Sequence, residues 1–264
     1  MTARLLAYAR ISPGGVLSAL GAHVTRKGWP ELGDVAPGPL GLPVLRARWF
    51  FDSPFSKFGR MDPLCKAAVA CSQLVAAALP ADRDEVAQVG GTMLGCLEAD
   101  AQFEATRRAG NPSPALFVYT LPSMFQGEVA ILHRLRGRCT LLSAGALSGL
   151  AALATAVRWI EKGRARHVLA IAADAAGPAA QAIDPSREPQ TAAAAWLLSG
   201  EGGRLGIGNV RYNAPRGNAR ELAPGSLRHG LTFVDTLEPL LLGVEPGAVW
   251  AGHGGSSVAF DIAG

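Results

Sequence analysis

The residues best placed to do chemistry lie in one stretch, Cys139-Thr-Leu-Leu-Ser-Ala-Gly-Ala-Leu-Ser-Gly-Leu-Ala-Ala-Leu153, which reads as a strand, a tight turn of small residues and the start of a helix. A side chain in such a turn sits at a helix N-terminus, where free N–H groups and the positive end of the dipole favour a thiolate or an oxyanion. That geometry serves a covalent nucleophile. Here the turn is Ser143-Ala144-Gly145-Ala146. The flanking hydroxyls, Ser143 and Ser148, have no evident base. Cys139 precedes the turn by several residues, at roughly 3.3 Å per strand residue, and is a poor substitute. Cys96, in Thr92-Met-Leu-Gly-Cys96, follows a strand and can approach a pocket, although an unreactive buried thiol is the plainer expectation. Cys65 and Cys71 are expected to be small buried hydrophobes. The cysteines form no CxxC pair and the histidines show no ligand spacing, so neither a metal site nor a disulfide framework is expected.

The elements that must position this turn follow from periodicity and punctuation. Residues 4–10 read as a strand, 11–15 as a turn, and the Gly- and Pro-rich 29–43 as a loop. The Ala-rich run 62–79, with Pro63 in its first turn, predicts a buried helix. Residues 86–92 predict a strand ending on the permissive pair Gly90-Gly91, and 98–108 a polar helix. A helix over 121–135 has Pro122 in its first turn. The strand 140–142, the helix 147–162 closed by Gly163 and the strand 167–173 form a parallel crossover unit. Strands that are apolar throughout lie inside a layered α/β protein. In the last third, 191–199 and 206–212 suggest strands, 213–225 is irregular, 232–242 suggests a helix, and 248–251 and 256–262 suggest a terminal strand pair around Gly252-His-Gly-Gly255.

Composition bounds the partners. Across 264 residues, 49% hydrophobic and 17% charged content is that of a soluble globular protein. The apolar runs are shorter than the roughly 20 residues of a membrane span, and the first ten residues lack a signal-peptide core, so a cytoplasmic protein without membrane partner is expected. The net charge of +4 comes from scattered arginines, with groups at Arg134/Arg136/Arg138 and Arg164/Arg166. Such a surface either receives an acidic partner or is simply solvated, two equal readings, and nucleic acid, for which there is no motif, is the weaker one.

The segment Ser113-Pro-Ala-Leu-Phe-Val-Tyr-Thr-Leu-Pro-Ser-Met-Phe-Gln-Gly-Glu-Val-Ala-Ile131, continuing through Leu135-Arg-Gly137 to Leu147-Ser-Gly-Leu150, resembles the pattern of the β-ketoacyl synthases of fatty-acid and polyketide assembly, which have the thiolase fold. Supporting echoes are residues 6–14, Phe58-Gly-Arg-Met-Asp62, Gly90-Gly-Thr92 and a glycine-rich terminal motif at Gly252, His253, Gly254 and Gly255. The likeness is strong over residues 86–174. It implies an α/β, thiolase-like layered fold, with helices around mostly parallel sheets and an abbreviated C-terminal half. On this reading residues 1–264 are one ketosynthase-like domain, with an N-terminal half over 1–200 and a truncated half over 201–264.

The family reads Thr-Ala-Cys-Ser-Ser-Gly around its nucleophile, and Ser148-Gly149 fixes the register, which places Ala146 at the cysteine's position. A methyl group has no lone pair to attack a thioester and no proton to surrender, so no acyl-enzyme forms there. The family's first assisting histidine, in a His-Gly-Thr motif, has no counterpart. His229 is a possible remnant of the second, with Thr236-Leu237-Glu238 following it, and His253 stands where an aromatic gating residue is usual. The resemblance is greatest to chain-length factors of type II polyketide synthases, in particular the short ones of aryl polyene clusters. It implies a non-catalytic subunit that pairs with a cysteine-bearing ketosynthase and shapes its acyl tunnel. An acidic acyl carrier protein visits that complex with its phosphopantetheine arm, and the chain needs no cofactor of its own. The family dimerises through the central sheet and the segment before the turn, so bulky side chains there set tunnel depth by exclusion. Leu116, Phe117, Tyr119, Met124 and Phe125 are the candidates for tunnel or dimer interface, with ordinary core packing the equal alternative, and Gln126 and Glu128 are the candidates for polar contacts to the partner. The alternatives are an acyltransferase or thioesterase-like enzyme using His229 with Ser143 or Cys96, and a homodimeric ketosynthase-like scaffold.

Overall fold

The computed structural model describes residues 2–20, 23–33, 36–203, 205–213, 215–221, 247–253 and 256–263. His229, Thr236-Leu237-Glu238, the helix expected over 232–242, and Gly254 and Gly255 lie outside the described residues.

The chain opens with a meander, β1 (Ala3–Ser12), β2 (Gly15–Leu20) and β3 (His23–Lys27). A loop with short 3-10 turns leads to α1 (Pro63–Leu74), then to β4 (Ala87–Gly91) and α2 (Leu97–Arg108). The one-turn α3 (Pro114–Phe117) and α4 (Met124–His133) precede β5 (Cys139–Leu142), α5 (Ser148–Glu161) and β6 (His167–Ala176). The short α6 (Pro178–Ile183), β7 (Gln190–Ser199), β8 (Leu205–Tyr212), β9 (Arg220–Glu221), β10 (Gly247–His253) and β11 (Ser256–Ala263) complete the order.

The strands join in one sheet, β5-β4-β6-β7-β1-β8-β11-β10-β9, with β2 and β3 added beside β1. Strand β1 makes the fork: Ala7–Ser12 pair with β2, whereas Ala3–Leu5 pair with β8. The sheet is mixed. Its parallel part is the crossover region, where β5 and β6 flank β4, together with the β9–β10 pair. The pairings of β6 with β7 and of β7 with β1 are antiparallel.

Side-chain alternation along β6 and β7 divides the interior in two. Val168, Ala170, Ala172, Ala194, Trp196 and Leu198 face a core shared with α5, β8 and β11. Leu169, Ile171, Ala173, Ala193, Ala195 and Leu197 face a second core shared with α1 and α4. Both faces of these strands are therefore covered, which is why they carry no polar alternation. Helix α5 is enclosed, with Leu150, Leu153, Val157 and Ile160 at no more than 1% exposure. It touches the strands from β5, at one end of the sheet path, across to β8 and β11. Helix α1 is capped by Asp62, whose carboxylate accepts from the N–H groups of Leu64 and Cys65, with Pro63 in its first turn. The crossover fold thus delivers the C-terminal ends of β4, β5 and β6 to the start of α5.

Candidate functional site

Thr92 N–H donates to the Leu142 carbonyl at 3.1 Å, so the ends of β4 and β5 meet just before the turn. Asp174, 1% exposed at the end of β6, accepts through Oδ1 from the Thr92 hydroxyl at 2.7 Å and from the N–H groups of Met93 and Leu94 at 2.9 and 2.8 Å. Three donors on one oxygen compensate the cost of burying that carboxylate. They also fix the loop leading to Cys96.

The turn itself is held by Ser148. Its hydroxyl donates to the Gly145 carbonyl at 2.6 Å and accepts from the Ala144 N–H at 2.9 Å. Gly145 has φ +55°, a left-handed conformation that costs a glycine little. Glycine is also required at Gly91, where a Cβ would lie 2.3 Å from the Ser148 carbonyl oxygen. The end of β4 can therefore approach the first turn of α5 backbone to backbone, and no side chain caps that turn. The strand, the tight turn and the helix start expected here are all present.

At its apex Ala146 is 2% exposed and packs in the core that includes Leu147, Leu150 and Val89. The other nucleophiles are no better placed. Ser148 spends its proton inside the turn, and Ser143 is exposed. The Cys96 Sγ lies 3.2 Å from both Asp100 Oδ2 and the Thr120 carbonyl oxygen, two acceptors for its single proton. Burial, reinforced by Asp100, pushes that thiol up to about 12, far from the thiolate a nucleophile needs. Cys65 and Cys71 are buried and pushed higher still, chiefly by burial. Cys139 is exposed on the edge strand β5. All four cysteines are free, and among the described residues no three His, Cys, Asp or Glu side chains gather as metal ligands. No helix among the described residues is long and apolar enough to cross a membrane.

The bulky candidates split into two groups. Phe117 is 61% exposed, its ring 5.4 Å from that of Phe103, and Leu116 beside it is half-buried. Val118, Leu121 and Ile131 are exposed nearby in sequence. Tyr119 and Phe125 are buried in the core shared with α1 and α4, and half-buried Met124 packs against it. That core lies across the sheet from Ala146. Gln126 and Glu128 also turn inward, against the expectation that they reach a partner. Gln126 Nε2 donates to the Thr140 carbonyl at 2.9 Å, and Glu128, 2% exposed, pairs with Lys57 Nζ at 2.6 Å and accepts from the Tyr119 hydroxyl at 3.4 Å. Helical spacing alone did not tell their inward face from the outward one.

Gly252 and His253 end β10, and His253 pairs in register with Ser256 of β11. They belong to the part of the sheet beyond β8, on the other side of β1 from the elbow strands.

A family model described as β-ketoacyl synthase, N-terminal domain, matches residues 47–187, more than half of the chain and all of the elbow region. The chain belongs to the β-ketoacyl synthase family. No protein of curated function matches the sequence. Solved structures with the same fold include the ishigamide ketosynthase/chain length factor, at 17% identity over 99% of both chains with a TM-score of 0.68. The ketosynthase ApeO in complex with its chain length factor ApeC from Xenorhabdus doucetiae aligns at 17% identity, over 99% of each chain, with a TM-score of 0.63. A β-ketoacyl synthase from Burkholderia phymatum STM815 aligns at 14% identity, over 99% of this chain and 98% of that one, with a TM-score of 0.69. The thiolase-like fold of the β-ketoacyl synthases is thus shared along nearly the whole chain.

Proposed function

We propose that this β-ketoacyl synthase family member is a non-catalytic, chain-length-factor-like subunit that pairs with a cysteine-bearing ketosynthase and shapes its acyl tunnel. The observation that carries this reading is Ala146, a buried methyl at the apex of an intact elbow. Fold neighbours described as a ketosynthase with its chain length factor support it. The surface supports it as well. Strand β5 is the last of its sheet path, and the exposed Phe117, Val118, Leu121 and Ile131 come from the segments just before it. An open strand edge and solvent-facing apolar side chains invite a partner. In this reading a carrier protein delivers its phosphopantetheine-bound chain to the partner's cysteine. Leu116 and Phe117 are the side chains that reach the shared tunnel, and the finer assignment is to the aryl polyene type of polyketide assembly.

Two experiments test the proposal. Incubated alone with an acylated carrier protein, the chain should acquire no covalent acyl mass, and an adduct on Cys96 or Ser143 would restore the enzyme reading. Co-expressed with a cysteine-bearing ketosynthase from its own organism, the chain should elute as a heterodimer, and Leu116→Ala or Phe117→Ala in that complex should lengthen the product. A monodisperse monomer that ignores the ketosynthase refutes the pairing.

A further inference from the structure

Helix α5 is enclosed except toward its C-terminal end, where Thr155, Arg158, Trp159 and Lys162 fall on one stripe at helical spacing. Gly163, at φ +64°, turns the chain back and brings Arg164 beside them. The N–H groups of Lys162, Gly163 and Arg164 donate to the carbonyls of Arg158, Ile160 and Trp159 at 3.0, 2.9 and 2.7 Å. The helix end therefore offers side chains to a ligand and few bare carbonyls. With Tyr212 of β8 these residues line a cleft of about 300 Å3. It lies at the opposite end of α5 from the elbow, about 20 Å away at 1.5 Å per helical residue.

Three cations face this cleft without a counter-ion. Arg158, Lys162 and Arg164 are exposed, and among the described residues none of their side chains has an ion-pair or hydrogen-bond partner. The carboxylates on α5 and on β11, the strand beside β8, are engaged elsewhere. Glu161 accepts from the Asn209 N–H at 2.8 Å, and Asp261 pairs with Arg211 at 3.2 Å and accepts from Asn209 Nδ2 at 2.7 Å.

The cations are also held in place. The Arg158 guanidinium carbon lies over the Tyr212 ring, 5.4 Å from its centroid, and the Tyr212 hydroxyl is anchored 3.1 Å from Thr155 Oγ1. A guanidinium stacked on a ring keeps its in-plane N–H fork free and loses little freedom when it binds. Arg138 lies over the Trp159 ring in the same way, at 5.6 Å, and adds a further positive charge beside the cleft.

We infer that this cleft binds the phosphate or diphosphate group of a small molecule, with the Arg158 fork on one set of oxygens and Lys162 and Arg164 on the others. A single carboxylate would answer only one of the three cations, whereas a diphosphate brings several negative charges and oxygens that accept bidentate guanidinium bonds. The volume stands at the lower end of small-molecule sites, which suits a compact anion better than a protein segment.

Calorimetric titration of the full chain with pyrophosphate tests this in about 0.15 M salt, which screens non-specific attraction beyond about 8 Å. Saturable one-site binding is expected, weakened about tenfold or more in Arg158→Gln and in Arg164→Gln. Arg48→Gln, which removes the same charge from another exposed position, should bind as wild type does. Tyr212→Leu should weaken binding several-fold by freeing the guanidinium, whereas Tyr212→Phe keeps the ring and most of the affinity. Adenosine diphosphate in place of pyrophosphate distinguishes an organic phosphate from the free ion, the tighter of the two naming the source. The site is refuted if neither ligand saturates the folded wild-type chain, whether or not an acidic polypeptide binds it. It is equally refuted if succinate binds as tightly as pyrophosphate, or if Arg48→Gln weakens binding as much as Arg158→Gln does.

Discussion

Replacing His133 by glutamine should flatten the acid side of the protein's pH–stability curve. His133 closes α4, is 3% exposed, and its Nε2 lies 2.9 Å from Ser72 Oγ on α1. Ser72 gives its own hydroxyl proton to the Val69 carbonyl at 2.8 Å, so Nε2 carries the hydrogen of the shared bond and Nδ1 is the atom left to protonate. Burial first, and the nearby Arg83 charge second, hold the imidazole down from 6.5 to about 4. The unfolded chain takes up a proton near pH 6.5 that the folded chain refuses until about pH 4. The folded state binds fewer protons between those values, so stability falls as pH drops through that window and is unaffected by this residue above it. Each pKa unit corresponds to about 1.4 kcal/mol, so the full loss is about 3 kcal/mol, of which about 2 has occurred by pH 5. Urea unfolding at pH 7.5 and pH 5 reads this directly. Carboxylates also titrate on the acid side, so the quantity to compare is the pH dependence of wild type against His133→Gln, whose amide keeps a donor for Ser72. Wild type should lose about 2 kcal/mol more than the variant between the two pH values. Parallel curves for the two proteins refute a neutral, buried His133.

Gly91→Ala should destabilise by about 1–3 kcal/mol in urea unfolding, because its Cβ meets the Ser148 carbonyl oxygen at 2.3 Å. Gly127→Ala is the control: it is inside α4, a Cβ there meets nothing within 4 Å, and a gain of about 0.5–1 kcal/mol is expected. Equal effects at the two glycines would show that the β4–α5 approach is not tight. Lys57→Met strands the buried Glu128 carboxylate and should cost toward the lower end of about 3–5 kcal/mol, since Lys57 itself is 42% exposed. Adding Glu128→Gln should recover most of that loss, because the amide can still accept from Tyr119, and a purely additive double variant would argue against a coupled pair.

Legibility followed the physics of each element. The strand read at 86–92, the polar helix at 98–108 and the crossover over 140–173 appear as β4, α2 and β5–α5–β6, because punctuation and apolar runs specify them locally. Helix α4 starts at Met124 rather than residue 121, since the Met124 N–H closes a turn onto the Leu121 carbonyl and Pro122 sits in that turn. It ends at His133 with Arg134 at φ +57°, a left-handed C-cap made without the glycine that signals one. The helix read over 62–79 stops at Leu74 and tightens into a 3-10 turn at Ala76–Ala78. Strand β3 had no signature, as all five residues of His23–Lys27 are exposed and β2 alone specifies their pairing. The antiparallel β6–β7 pairing was equally hidden, because strands buried on both faces look alike whichever way their neighbours run. At the site, Ala146 and the Gly90-Gly91 pair were visible as residue types. The Asp174 and Ser148 bonds were not, because residues 82 positions apart, or a serine turned inward at a helix start, leave no mark in the local pattern.

The bonds at the elbow also explain how a chain can keep the turn while lacking the sulfur. The turn's conformation is set by Ser148 Oγ bridging Ala144 and Gly145, by the left-handed Gly145 and by the backbone contact that Gly91 permits. None of these uses the side chain at position 146. What that side chain contributes to the fold is only its packing in a core bounded by Leu147 and Leu150, and a methyl fills a small place there with no polar atom to satisfy. A cysteine would add one polarizable atom and a weak donor to a position with almost no solvent access. Exchange between alanine and cysteine at this position is therefore nearly neutral for folding, and on the proposed reading it is the change that removes the acyl-accepting sulfur. The constraint that preserves the elbow is the packing of α5 against β4 and β5, which a subunit needs whether or not it forms an acyl thioester.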